Sequence, residues 1–256
     1  MSSKNIFEIY EEIGDDLKFI ASSDIKSKII ISLKEGQKKL SDLKDEVHMN
    51  SSTVLHSMSQ LESRGLIIRE FQGYSLSQTG EMVALNFISV INSLSLAKKN
   101  KDFWLNCDLS VIPHDLINEL SNLKEYKIEP LFTNLREYNE LLDGSKYLKI
   151  IIPSLNFFDV FSKSYNENLD IDLILNENLE NLIKKSYSES NRIISAENLR
   201  LWKTNSKLAL IITNQFMLLN LPLNNGKCND DFLVSKSKEG IKWGDKLFNH
   251  YLSQVK

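Results

Sequence analysis

The chain has 256 residues, of which 42% are hydrophobic and 25% are charged, and its formal net charge is −3. This composition excludes wholesale disorder, which needs low hydrophobicity and high net charge. With 9 Gly and 4 Pro, it also excludes collagen-like and linker-like sequence. The length predicts two domains or one large one.

The sequence favours a reduced protein of the cytoplasm. The first residues, Met1 to Phe7, lack the basic, apolar and small-residue order of a secretory signal. Cys107 and Cys228 are too few for a disulfide framework or a cysteine-rich zinc site. We therefore expect no metal and no cofactor, and no run reaches the roughly 18 uninterrupted apolar residues typical of a membrane helix.

The first part of the chain is predicted to be a winged helix-turn-helix domain. Apolar residues recur there at helical spacing, and two β-favouring runs flank a turn at Gln72-Gly73. The predicted elements are, in order, helices over 4–20, 25–33, 40–47 and 54–61, a hairpin over 66–76 and a helix over 79–97. In DNA-binding proteins of this plan, the second helix of the motif enters the major groove.

The predicted recognition helix has one apolar and one polar side. At 100° per residue, Val54, Met58 and Leu61 share the core side. Hydroxyl, imidazole and amide groups lie opposite or at the border, and we expect DNA contacts from Ser51, Ser52, Thr53, His56, Ser57 and Gln60. Gln can read adenine with two hydrogen bonds, and helix N-terminal amides can hold a phosphate.

Phosphate contacts would have to come from a few cations outside that face. The candidates are Lys38, Lys39, Arg64 and Arg69, with Tyr74 in the hairpin as a further contact. Residues 1–97 nevertheless hold 10 basic and 13 acidic side chains, so no strong positive field is expected. The alternative interpretation is therefore a winged helix that binds another protein and not DNA.

The helix over 79–97 is apolar on almost every side, which requires burial on more than one face. A subunit interface is the simplest way to bury it, with 4–20 as a further contributor. We therefore expect a homodimer that places two recognition helices in successive major grooves. The predicted division is 1–78 for the DNA-binding domain, 79–100 for the connecting helix and 101–256 for a regulatory domain.

Two sets of motifs resemble known families. The runs Ser51–Ile67 and Gly73–Gly80 resemble archaeal winged helices of the ArsR-like type. In the second part, Phe103–Pro113, Asp170–Leu175 and Ile241–Phe248 are similar to Fil-type regulators of methanogenic archaea, which join a winged helix to a methanogenesis regulatory protein middle domain. The resemblance implies a cytoplasmic, dimeric, DNA-binding transcription factor whose second domain senses an effector or dimerises.

The second part is predicted to be a mixed α/β domain, which makes the whole chain α+β or α/β. We expect a largely parallel sheet covered by helices, with Leu208–Thr213 and Phe216–Leu221 as an antiparallel hairpin. The other predicted strands are Phe103–Cys107, Tyr126–Glu129, Tyr147–Ile152, Ile171–Leu175 and Leu199–Trp202. The predicted helices are Pro113–Leu123, Asn134–Leu142, Phe157–Tyr165, Leu179–Tyr187 and Gly240–Leu252.

No enzyme is expected from the motifs of the second part. The layout is similar to phospholipase-D-like domains, but no His is followed by Lys two residues later. Phosphate-binding glycine loops and nucleophile turns are absent as well. A ligand pocket at the carboxyl ends of the strands is more plausible, and Asp108, Arg136 and Trp202 are its candidate residues. An enzyme or small-molecule carrier in this half is the remaining alternative.

Overall fold

The computed structural model describes residues 5–123, 125–130, 135–163, 168–179, 182–183, 193 and 196–255. The chain divides into two compact units, 1–91 and 92–256. One continuous helix, Gln78–Lys99, spans the boundary between them.

The first unit has the predicted winged-helix order. Its helices are α1 (Ile6–Ala21), α2 (Asp24–Leu33), α3 (Leu40–Val47), α4 (Ser51–Ser63) and α5 (Gln78–Lys99), with strands β1 (Ile67–Glu70) and β2 (Gly73–Leu76) between α4 and α5. Ser23 and Asn50 cap α2 and α4, since their side chains accept from the Lys26 and Thr53 amides. The helical spacing also predicts the buried side of α4 correctly, since Val54, Met58 and Leu61 are fully or almost fully buried.

The hairpin β1–β2, which we call the wing, is hydrogen-bonded to Lys38 in the segment before α3. The Lys38 amide donates to the Tyr74 carbonyl at 3.0 Å, and the Tyr74 amide donates to the Lys38 carbonyl at 2.8 Å. At Gly73, φ is +155°, and a Cβ there would overlap the Lys38 carbonyl. The turn itself is Phe71-Gln72, one residue earlier than the sequence suggests.

The second unit combines helices on both faces of a seven-stranded sheet. Its described helices are α6 (Lys101–Asn106), α7 (His114–Glu119), α8 (Leu135–Asp143), α9 (Leu155–Lys163) and α10 (Lys238–Ser253). The strands are β3 (Lys127–Pro130), β4 (Tyr147–Ile152), β5 (Asp170–Asn176), β6 (Leu199–Thr204), β7 (Ala209–Ile212), β8 (Met217–Asn220) and β9 (Asp231–Ser235).

The sheet is mixed, with the order β3-β9-β8-β7-β4-β5-β6. Only β4–β5 and β5–β6 pair in parallel, whereas β7, β8, β9 and β3 add antiparallel pairings. The expectation of a largely parallel sheet is therefore wrong, although the mixed α/β class is confirmed. The predicted hairpin of β7 and β8 is correct, with Ile212 opposite Met217.

Alternate residues of the central strands pack into two separate hydrophobic cores, one on each face of the sheet. Ile151 and Ile174 pack with α10 on one face, while Ile150 and Leu173 pack with α8 and α9 on the other. Burial on both faces explains why these strands read as continuous apolar runs and not as alternating ones.

Three predictions for this unit need correction or comment. Phe103–Cys107 is not a strand, because the run to Asn106 forms α6, with Phe103 buried in the core. The strand β9 was not predicted from the sequence. It pairs with β3 and β8, and these pairings depend on contacts between distant residues that a local pattern does not show. Most of the predicted helix Leu179–Tyr187 lies outside the described residues.

The two cysteines occupy opposite environments. Cys107 is buried, and burial raises the pKa of its thiol to about 11, although a hydrogen bond from Asn229 partly offsets this. Cys228 is exposed. A thiol held neutral in this way is a packing group, because nucleophilic cysteine chemistry requires the thiolate.

The close approach of α5 to β1 predicts an asymmetric response to two glycine substitutions. A Cβ at Gly80 would overlap the Leu66 carbonyl oxygen, whereas a Cβ at Gly14 in α1 meets only the Tyr10 ring at 3.9 Å. We expect Gly80→Ala to lower the free energy of unfolding by about 1–3 kcal/mol through overpacking. Gly14→Ala should raise it by about 0.5–1 kcal/mol, because alanine is the better helix former. Denaturant unfolding followed by circular dichroism measures both, and equal effects would contradict the packing of α5.

Candidate nucleic-acid interface

Helix α4 presents a polar, uncharged surface opposite its core side. Ser51, Ser52 and His56 are exposed, and Thr53 and Gln60 are half-buried. The exception among the predicted contacts is Ser57, which is 5% exposed and faces inward. Ser57 therefore leaves the candidate set, because a border position at 100° spacing falls on the core side once the other helices pack.

The first turn of α4 is organised by a single acceptor. The Asn50 side-chain oxygen accepts from the Thr53 amide at 2.9 Å, from the Ser52 hydroxyl at 2.8 Å and from the Thr53 hydroxyl at 2.7 Å. The two hydroxyls are therefore held at the N-terminus of the helix, where a phosphate would be favoured.

His56 and Gln60 form a pair one helical turn apart. Their nitrogens, Nε2 of each side chain, lie 3.1 Å apart on the exposed side of α4. Both side chains have further donors or acceptors that could contact a base edge. This is the part of α4 with the most capacity for sequence readout.

Two of the four predicted cations form ion pairs with carboxylates of the same unit. Lys38 Nζ lies 2.7 Å from Glu46 and 3.1 Å from Glu35, and hydrogen bonds to these two carboxylates raise its pKa. Arg64 contacts the Asp16 carboxylate, and its guanidinium lies 4.0 Å from the centre of the Phe19 ring. The sequence analysis missed these acidic partners, although Glu35 stands only three residues before Lys38.

The other two cations, Lys39 and Arg69, both line an open groove of about 620 Å³ between the wing and the start of α3. Both side chains are exposed, and neither forms an ion pair within the part of the chain that the structure describes. Tyr74 lines the same groove and lies 5.9 Å from the Arg69 guanidinium. The groove is completed by residues that the sequence analysis did not select, namely Leu40, Glu70, Phe71, Gln72 and Gly73.

Two helices of the chain leave large apolar side chains exposed. On α1 five of them form a narrow stripe, consisting of Ile6, Ile9, Tyr10, Ile13 and Leu17, and Phe7 is exposed beside it. On α5 they are spread around the helix, as Met82, Leu85, Val90, Ile91 and Leu94. By length and composition α5 could also cross a membrane, although its run of apolar residues is interrupted by Ser and Asn.

The described structure places two of the three predicted ligand residues of the second unit, Asp108 and Trp202. The Asp108 carboxylate accepts from the Ser110 amide at 2.9 Å, and the hydrogen bonds of Ser110 lower its pKa. Trp202 lies half-buried in the edge strand β6 and packs against the core. Arg136 belongs to α8, but its side chain lies outside the described part of the chain.

Comparison with solved structures gives distant similarities. TrmBL2, described as an archaeal chromatin protein with a novel mode of DNA binding, matches with a TM-score of 0.41 and 14% identity, over 90% of this chain and 91% of that one. An O-methyltransferase family protein from Burkholderia thailandensis matches with a TM-score of 0.27 and 8% identity, over 80% of this chain and 65% of that one. These values are too low to carry an argument about function.

Sequence comparison is more informative. The methanogenesis regulatory protein FilR1 of Methanothrix harundinacea (strain 6Ac) is 29% identical over 251 residues. The match covers 92% of this chain but only 56% of that protein, so the chain spans little more than half of its relative's length.

Two domain families match the chain itself. They are described as the N-terminal domain of methanogenesis regulatory protein FilR1, over residues 14–95, and its middle domain, over residues 131–254. The Fil-type resemblance is therefore confirmed, while the ArsR-like type stays a prediction. Over residues 14–95 and 131–254, the chain is therefore similar to the N-terminal and middle domains of the FilR1 methanogenesis regulatory proteins.

Proposed function

We propose that the chain is a homodimeric transcriptional regulator that binds specific DNA sequences through α4 and the wing. The observation that carries this proposal is the exposed His56–Gln60 pair on a helix that is otherwise fixed by its buried side. Such a helix can enter a major groove without repacking, and its polar groups match base edges. A DNA-binding role also requires a cytoplasmic location.

The charges of the first unit support a small number of phosphate contacts. Lys39 and Arg69 share the groove beside the wing, whereas Lys38 and Arg64 already neutralise carboxylates. Base contacts would then supply more of the specificity than a general electrostatic attraction. Phosphate groups would lie at the N-terminus of α4 and in the groove.

The homodimer part of the proposal is supported by the exposed apolar side chains of α1 and α5. Isolated exposed apolar residues are ordinary, but five on one stripe of α1 are a pattern typical of a helix–helix contact. A second copy offers the same stripe, so a two-fold interface is self-complementary. Two wings and two α4 helices would then face neighbouring turns of DNA.

The first prediction from this proposal concerns the reading of bases by α4. Replacing His56 and Gln60 by Ala removes the polar groups that would contact bases, so we expect specific affinity to fall by at least tenfold, at about 1–3 kcal/mol per lost bidentate contact. Selection from a random DNA library, followed by a binding titration on the enriched sequence, measures the change.

The chain offers a matched control for this double variant. His250 and Gln254 form the same pairing at the C-terminal end of α10, where Gln254 is the C-cap, with their nitrogens 2.7 Å apart. The His250→Ala, Gln254→Ala variant should leave DNA affinity unchanged. Equal binding by both double variants would contradict the assignment of α4. If the folded dimer enriches no DNA sequence at all, the winged helix is a protein-binding module instead.

The second prediction concerns the phosphate contacts of Lys39 and Arg69. Each contact that is lost should make the dependence of log K on log salt shallower by about 0.9, with a similar loss of affinity on every DNA sequence. Lys39→Ala and Arg69→Ala test this in binding titrations across salt concentrations. Lys242→Ala, an exposed lysine of α10, controls for the change in net charge. An unchanged slope in both groove variants would place the phosphates elsewhere.

The third prediction concerns dimerisation through α1. Ile13 is 42% exposed, so Ile13→Glu should fold but place a charge in the apolar stripe and dissociate the dimer. Lys18→Glu introduces the same side chain elsewhere on α1 and should leave the dimer intact. Sedimentation velocity measures both. A monomeric parent protein, or one that partitions into detergent or lipid, would contradict the proposed interface.

A further inference from the structure

A small cavity in the second unit is lined by a buried hydroxyl that has no hydrogen-bond partner in the described structure. Its volume is about 170 Å³, and it is lined by Asn92, Ser95, Leu96, Lys99, Ser121, Leu123 and Tyr126. Tyr126 is 6% exposed, and its hydroxyl forms no hydrogen bond in the described structure. Nearly all buried polar groups of native proteins are paired, so a buried unpaired hydroxyl at a cavity needs an explanation.

Two further unpaired atoms belong to the segment that follows α5. The indole nitrogen of Trp104 is buried without a partner, and the Trp104 and Tyr126 rings meet edge to face at 6.4 Å. The side-chain oxygen of Asn100 is also buried and unpaired. Asn100 stands at the N-cap of α6, where Asn ordinarily accepts an amide hydrogen bond, but its side chain makes no capping bond.

The charged side chain among the described residues that line this cavity is Lys99, and its polar lining includes hydroxyls that can donate. The Lys99 ammonium lies 4.8 Å from the centre of the Tyr126 ring. None of the described lining residues is acidic. Such a set favours an anion, because charge-assisted hydrogen bonds are the strongest that these donors can make.

A neighbouring cavity provides a contrast. It has about 340 Å³ and also includes Tyr126, but Glu125 and Glu129 line it together with Lys127 and Lys236. The Glu129 carboxylate there accepts from the Tyr138 hydroxyl at 2.9 Å. Its charges therefore balance, whereas the described lining of the smaller cavity has a lysine and no carboxylate.

The geometry points to a binding site for a small monocarboxylate beside Tyr126, Trp104 and Lys99. The cavity is similar in volume to an engineered apolar cavity of about 150 Å³ that holds benzene, which limits the ligand to roughly six non-hydrogen atoms. The carboxylate would accept from the Tyr126 hydroxyl and lie near the Lys99 ammonium. The Trp104 indole, whose ring packs edge to face on Tyr126, would report the binding. This inference does not depend on DNA binding.

The test uses the indole N–H resonances of the full-length protein labelled with nitrogen-15. Trp104→Phe identifies the Trp104 signal among the three tryptophans. The buried Trp243 indole, which donates to the Leu116 carbonyl at 2.9 Å, serves as an internal reference. Acetate, propionate, butyrate and inorganic phosphate are titrated to millimolar concentrations at constant ionic strength, together with acetamide as a neutral analogue of acetate.

We expect a saturable shift of the Trp104 signal with a carboxylate, and none with acetamide. Tyr126→Phe and Lys99→Gln should each weaken binding at least fivefold, whereas Lys98→Gln, its neighbour on α5, should not. Without ligand, Tyr126→Phe should keep or raise the melting temperature, because it removes a buried unpaired hydroxyl. A cavity that holds only water, an equal response to acetamide, or a response to phosphate alone would overturn the inference.

Discussion

The wing of this protein depends on two backbone hydrogen bonds between Lys38 and Tyr74. They extend the β1–β2 hairpin by one residue from the segment before α3, and they require the close approach that only glycine permits at position 73. As a result, side chains that are thirty residues apart in sequence line one groove. Lys39 and Arg69 reach that groove because the backbone around them is fixed, and not because either side chain has a local signal.

Basic side chains do not outnumber acidic ones in the first part of the chain, where residues 1–97 hold 10 basic and 13 acidic residues. Lys38 forms ion pairs with two carboxylates, and Arg64 forms one with Asp16. The Arg64 guanidinium also lies over the Phe19 ring. Exposed ion pairs of this kind contribute little to stability, so their main effect is on the field that the surface presents. A regulator of this type would rely on shape and base contacts, which agrees with a nearly neutral sequence.

Helix α5 has three parts that differ in what surrounds their side chains. Its start packs closely on Leu66 through Gly80, its middle exposes apolar side chains, and its last turns line the cavity beside Tyr126. A ligand in that cavity would contact the same helix that we propose to hold the dimer. Coupling between them would require the ligand to bind two arrangements of the dimer with different affinity.

The sequence by itself determined the order of elements in the first unit, the core side of α4 and most strands of the second unit. These features follow from local periodicity, capping residues and apolar runs, which are properties of neighbouring residues. Only the tertiary structure decided that Ser57 is buried, that Lys38 and Arg64 are engaged, and that Phe103 belongs to a helix. The mixed sheet and the cluster around Tyr126 were likewise hidden, because strand order and cavities arise from contacts between residues distant in sequence.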